Sequence, residues 1–144
     1  MTTFWRRWFL LATGAVALYA VGLVAAGPVA TGAFDALGFG PQDGAVPAGP
    51  AEDYVFFVYA VLGAVIVGWM VLLAAVAAGP LAAGDPWARP ALAASVATWF
   101  VLDTGASLVL GWWTHAVYNL AFLALIGLPL ARRGGVSPAP RPRS

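Results

Sequence analysis

The sequence predicts an all-α fold: a bundle of four membrane-spanning helices with both ends on the cytoplasmic side. Three observations lead there. Hydrophobic residues make up 62% of the chain and charged residues only 9%, against about 25% charged in an ordinary soluble domain. Four apolar runs approach or exceed the ~20 residues that cross a ~30 Å hydrocarbon core. All seven basic residues are arginines, and their placement alternates with those runs. The mean hydropathy of +0.86 agrees with a bilayer as solvent.

The first predicted span covers residues 8–26, "WFLLATGAVALYAVGLVAA". Its 19 residues exceed the 7–15 of a secretory signal's apolar region, and "RRWFLL" lacks the polar flanks of a twin-arginine signal. It therefore reads as a retained anchor. The second span covers 54–78, the third 91–110, and the fourth 115–131, with Pro129 near its end. Together they form one domain, residues 1–131, and "RRGGVSPAPRPRS" completes the chain as a basic cytoplasmic tail (132–144) too poor in apolar residues to fold.

The connections differ in kind. Residues 27–53 form a Gly/Pro-rich loop with four acids and no basic residue, in which 29–39 could make a short interfacial helix. In "GPLAAGDPWARP", Asp85 has the character of an N-cap and Pro86 suits a first helical position, with Pro90 delaying or kinking the start. "GWWT" is so short that the third and fourth spans must form an antiparallel hairpin.

Arginine marks the cytoplasmic ends of membrane helices. With Arg6 and Arg7 inside, four crossings place Arg89, Arg132, Arg133, Arg141 and Arg143 inside as well. The two outer connections then carry no arginine. Trp5 and Trp8 on one side, and Trp112 and Trp113 on the other, fit interfacial aromatic belts.

Composition removes several chemistries. The absence of cysteine excludes disulfides, thiol redox chemistry and thiolate metal sites. A single histidine excludes a His-rich metal centre within one chain. No cofactor, catalytic set or nucleic-acid surface is expected.

Asp103 is the most informative residue, because an ionisable group inside a span costs ~2.5–3.5 kcal/mol on insertion scales and must face a partner or water. At ~1.5 Å per residue it lies roughly 10–12 Å from the outer end of its helix. Folding about "WW" sets Asp103 level with Phe122 and Ser107 level with Tyr118. Trp99, Asp103 and Ser107 share one helix face, and His115, Asn119 and Phe122 share another. If those faces meet, Asp103, Ser107, His115 and Asn119 form an intramembrane polar cluster, with Asp103 facing Asn119. Such a cluster serves either as an interhelical clasp or as a proton-linked or ligand-binding site.

On the second span Ala60, Ala64 and Gly68 make a small-residue stripe suited to close packing within the bundle or between copies. Glu52 and Asp53 suit the positive end of the helix dipole, and the basic tail suits anionic headgroups.

The stretches "YAVLGAVIVGWMVLL", "ALAASVATWFVLDTGASLVLG" and "HAVYNLAFLALIGLPL" resemble a group of small bacterial four-helix membrane proteins of uncharacterised function. The resemblance implies a multi-pass protein of the cytoplasmic membrane and brings no activity with it. The layout is also similar to small multidrug transporters, which carry their key glutamate in the first span, where this chain has no acid. Two functions remain in view. One is a non-enzymatic structural or partner-binding membrane component, with lipid, itself or another membrane protein as partner. The other is a small proton-coupled carrier using Asp103.

Overall fold

The computed structural model describes residues 2–25 and 49–132; the expected interfacial helix and the tail beyond Arg132 lie outside them. The described chain is all-helical. The long helices are α1 (Thr3–Ala25), α2 (Pro50–Ala78), α4 (Ala88–Val109) and α5 (Trp113–Ala131), with a single turn, α3 (Pro80–Ala83), between α2 and α4. Four helices are long and apolar enough to cross a membrane.

Each long helix extends beyond its apolar run at the N-terminal end. α1 begins at Thr3, upstream of Trp8. α2 begins at Pro50, whose missing N–H is no loss at a first helical position. α4 corrects the expected start. Trp87, not Asp85, is the N-cap, and no side chain caps the helix. Pro90 delays nothing, because it falls in the first turn, where backbone N–H groups lack intrahelical acceptors anyway.

Two glycines fix the tight connections. Gly111 has φ +80°. Its N–H donates to the Leu108 carbonyl and that of Trp112 to the Ser107 carbonyl, the paired bonds of a Schellman helix end. Gly84, at φ +88°, ends α3 in the same way, with Gly84 N–H to Leu81 and Asp85 N–H to Pro80. Because α5 is already helical at Trp113, the α4–α5 turn centres on Leu110–Gly111, earlier than folding about "WW" would place it.

The most extensive packing is between α1 and α2, then between α4 and α5; α1 also meets α5, and α2 meets α4. α1 and α2 come closest at Gly63, where an added Cβ would lie 2.6 Å from the Ala20 carbonyl oxygen. The Ala60–Ala64–Gly68 stripe is not this contact: Ala64 and Gly68 are exposed, and an added Cβ on Gly68 would meet nothing within 4 Å.

The core occupies one end of the bundle. Phe9, Met70, Leu73, Ala77, Leu81, Ala88, Leu92, Ile126 and Leu130 are buried together there. The described arginines gather at that end. Arg89 donates from one nitrogen to the carbonyls of Leu130 (2.7 Å) and Arg132 (3.0 Å), and Arg132 lies over the Trp5 ring at 5.8 Å, beside Arg6 and Arg7. Elsewhere the surface is apolar along the helices: Leu11, Leu18, Val65, Leu102, Val109 and Leu110 are each more than 60% exposed.

Candidate functional site

Beyond the core the helices draw apart around a cavity of about 520 Å³ walled by all four long helices. α1 contributes Val16 and Tyr19, α2 four side chains between Leu62 and Trp69 on one face, α4 four between Ser95 and Asp103, and α5 four between His115 and Phe122. Its position follows from side-chain size and spacing. Toward the arginine end, Met70, Leu73, Leu92, Val96 and Ile126 interdigitate. Toward the other end, α4 presents Ser95, Trp99 and Asp103 at successive four-residue steps, a sparse row that leaves space between large rings.

The polar part of the site lies on the α4–α5 seam. His115 Nε2 is 3.3 Å from Asp103 Oδ1, an ion pair when the imidazole is protonated. Both residues line the cavity; the His115 side chain is 14% exposed and that of Asp103 36%, so the carboxylate is the more accessible of the two. Asn119, only 2% exposed, donates from Nδ2 to Thr104 Oγ1 at 3.3 Å. Ser107 is buried, but its hydroxyl donates back to the Asp103 carbonyl at 2.7 Å.

The four expected residues thus divide. Asp103 and His115 pair across the seam. Asn119 bonds Thr104, and shares the cavity lining with Asp103. Ser107 makes a bond within its own helix. A turn centred near Gly111 sets Asp103 level with Asn119 and Ser107 level with His115, so the His115 side chain reaches the Asp103 carboxylate from one helical turn nearer the hairpin. Thr104 was not read from the sequence, since it lies one residue off the Trp99–Asp103–Ser107 face.

The apolar part is aromatic. Trp69 and Trp99 have ring centroids 5.7 Å apart, Trp99 and Phe122 6.5 Å, and Phe122 and Tyr118 4.9 Å. Tilted and edge-on geometries of this kind add stability beyond area burial. The Trp69 indole N–H donates to Ser95 Oγ at 2.8 Å. Trp69 therefore both bridges α2 to α4 and walls the cavity. Extending the i, i+4 row back from Trp99 to Ser95 would have indicated this face.

No group of three or more His, Cys, Asp or Glu side chains that could hold a metal ion occurs among the described residues. Among the described residues, no lysine or arginine lines the cavity. No protein family, curated protein or solved structure matches the chain.

Proposed function

We propose that this is a multi-pass protein of the cytoplasmic membrane, with both ends of the chain inside, whose bundle binds a small molecule. The membrane reading is supported by four apolar helices and by a surface on which large apolar side chains are exposed along their length, far more than a water-soluble monomer tolerates. The orientation is supported by arginines gathered at one end. Reporter fusions after Gly49 and after Arg132 test it; cytoplasmic activity at Gly49 would overturn the orientation.

The observation that carries the binding reading is the cavity with an acid–imidazole pair on its wall. Its volume falls in the ~300–1,000 Å³ range of small-molecule sites, which are mostly apolar with a few placed polar groups. An intramembrane acid is a functional candidate for the same reason that it is costly. A carrier that moves its ligand together with, or against, a proton on Asp103 or His115 is the active form of this reading.

The chain has no cysteine, so single-cysteine labelling is clean. Thr98→Cys, in the cavity, should react with a small water-borne thiol reagent. Leu72→Cys, 60% exposed on the outer surface of α2, should not, because thiolates form in water and not in hydrocarbon. Equal resistance of the two positions would remove the cavity reading.

A second reading is a non-enzymatic component that associates with itself or with another membrane protein. The exposed Ala64 and Gly68 favour it, since small residues let helix backbones approach closely.

A further inference from the structure

Among the described residues, those lining the cavity bring several aromatic rings, one carboxylate and no permanent cation. We propose that the cavity binds a lipophilic organic cation, with Asp103 as counter-ion and the Trp69–Trp99–Phe122–Tyr118 row as its aromatic face. This inference rests on the reading of the bundle as a ligand-binding membrane protein and adds the class of ligand.

Each alternative class lacks a feature that it needs. An anion needs a fixed positive charge or convergent N–H donors. The described arginines lie at the far end of the bundle, and two of them are engaged there, Arg89 with the α5 carbonyls and Arg132 with Trp5. A bare metal cation needs about six oxygen ligands, and the described cavity wall is predominantly hydrocarbon, with Asp103 as its one carboxylate among the described residues. A neutral apolar molecule would fill the space but would cover the part of the Asp103 carboxylate that His115 leaves exposed without supplying a counter-charge. A cation carrying aromatic or alkyl substituents uses both parts. Its charge meets the carboxylate and the faces of Trp and Tyr rings, which attract cations through their quadrupoles, most strongly when desolvated. Its substituents cover the apolar wall.

The His115 contact does not block this. The contact reaches Oδ1 at 3.3 Å, while a carboxylate has about four lone-pair sites, and the Asp103 side chain remains 36% exposed. His115 instead holds the carboxylate in place across the helix seam and competes with the ligand for its charge.

The test is equilibrium dialysis of radiolabelled tetraphenylphosphonium against the purified full chain in non-ionic detergent. Triphenylphosphine oxide, neutral and similarly aromatic, serves as comparator. Saturable binding of tetraphenylphosphonium is expected, weakened about tenfold or more by Asp103→Asn, as loss of one partner of a desolvated charge pair implies. Asp103→Glu should recover most of it, which separates loss of charge from loss of fold. Binding of the neutral compound should be weaker and indifferent to Asp103→Asn. Equal affinity of wild type and Asp103→Asn for the cation, or neutral and cationic compounds binding alike, would overturn the cation assignment and leave a general apolar ligand site standing. Binding of neither compound to a well-folded protein, together with an unreactive Thr98→Cys, would remove the ligand-binding reading as well.

Discussion

The indole N–H of Trp8, on the first turns of α1, donates to the backbone carbonyl of Leu125 on α5 at 3.0 Å. That carbonyl is the one Pro129 leaves without its helical donor. Pro129 lies inside α5, has no N–H, and would otherwise be the i+4 partner of Leu125. In membrane helices, prolines are tolerated where a neighbouring group satisfies the freed backbone, and here a tryptophan 117 positions away does so.

This compensation predicts a coupling. Trp8→Phe should destabilise the bundle by ~1–2 kcal/mol, the cost of leaving a carbonyl unsatisfied on a surface that faces hydrocarbon and not water. In a Pro129→Ala background, where the alanine supplies its own N–H to Leu125, the same change should cost much less. Steric-trap or denaturant unfolding in micelles measures the four-way cycle, and additive losses would show that the two residues act independently.

Gly63 is required by distance. A Cβ there would sit 2.6 Å from the Ala20 carbonyl oxygen and 3.0 Å from Leu23 and Val24 side-chain carbons. Because the nearest obstacle is backbone, Gly63→Ala must separate α1 from α2, at the ~1–3 kcal/mol typical of overpacking. Gly68→Ala meets open space and should be neutral or stabilising by up to ~1 kcal/mol through helix propensity. A thermal shift of the same sign at both positions would contradict this.

Arg89 caps α5 from outside the helix. Arg89→Gln should fray the last turn, with amide exchange accelerating at residues 128–132 and little change in α1. The loss should be about 1–2 kcal/mol, since the two bonds are charge-assisted but only partly buried. Arg89→Lys should recover only part, because a lysine ammonium is a point charge on a flexible stem rather than a planar fork.

Self-association through the exposed stripe is separable from folding. Ala64→Ile with Gly68→Ile should leave the helical content of the monomer intact, since neither position is packed within the bundle. Loss of any dimer seen by cross-linking in native membranes would place the contact on this face; a dimer that survives both changes would rule it out.

His115 competes with a cation for Asp103, so His115→Gln should tighten tetraphenylphosphonium binding severalfold, whereas Asp103→Asn weakens it. Among the described residues, the titratable side chains lining the cavity are Tyr19 on α1, Asp103 on α4 and His115 and Tyr118 on α5, with none from α2. Weaker binding by His115→Gln would instead mean that the imidazole orients the carboxylate more than it masks it.

The four helices were legible because apolar runs of spanning length have few other uses. Their ends were less so, since polar and proline-containing first turns such as 50–53 and 88–90 look like loop until the helix is seen to continue through them. The α4–α5 hairpin was legible as a hairpin, but its register was not. "GWWT" contains the glycine that ends α4, and only the left-handed conformation of Gly111 shows that both tryptophans follow the turn's centre. That small shift sets Asp103 level with Asn119 instead of Phe122, and the rotation of the two helices, which hairpin length does not fix, then gives Asp103 to His115 one turn nearer the hairpin and Asn119 to Thr104. The Trp8–Leu125 bond joins the two ends of the described chain, and only Pro129 hinted that some donor would be needed there.

The uneven filling of the bundle has a mechanical meaning. At the arginine end, five helices meet through interlocked side chains, and Arg89 and Arg132 tie the last turn of α5 to its neighbours. At the other end, the α1–α2 pair, in close contact at Gly63, and the α4–α5 pair, joined by His115–Asp103 and Asn119–Thr104, stand on either side of the cavity. Such an object works like a pair of tongs. Its pivot is the solid end, and displacement grows with distance from it. Small rotations at Met70, Leu92 and Ile126 become large changes in the span between Tyr19 and His115. Hydrostatic pressure, which favours states with less internal void, should close the tongs before it unfolds the helices.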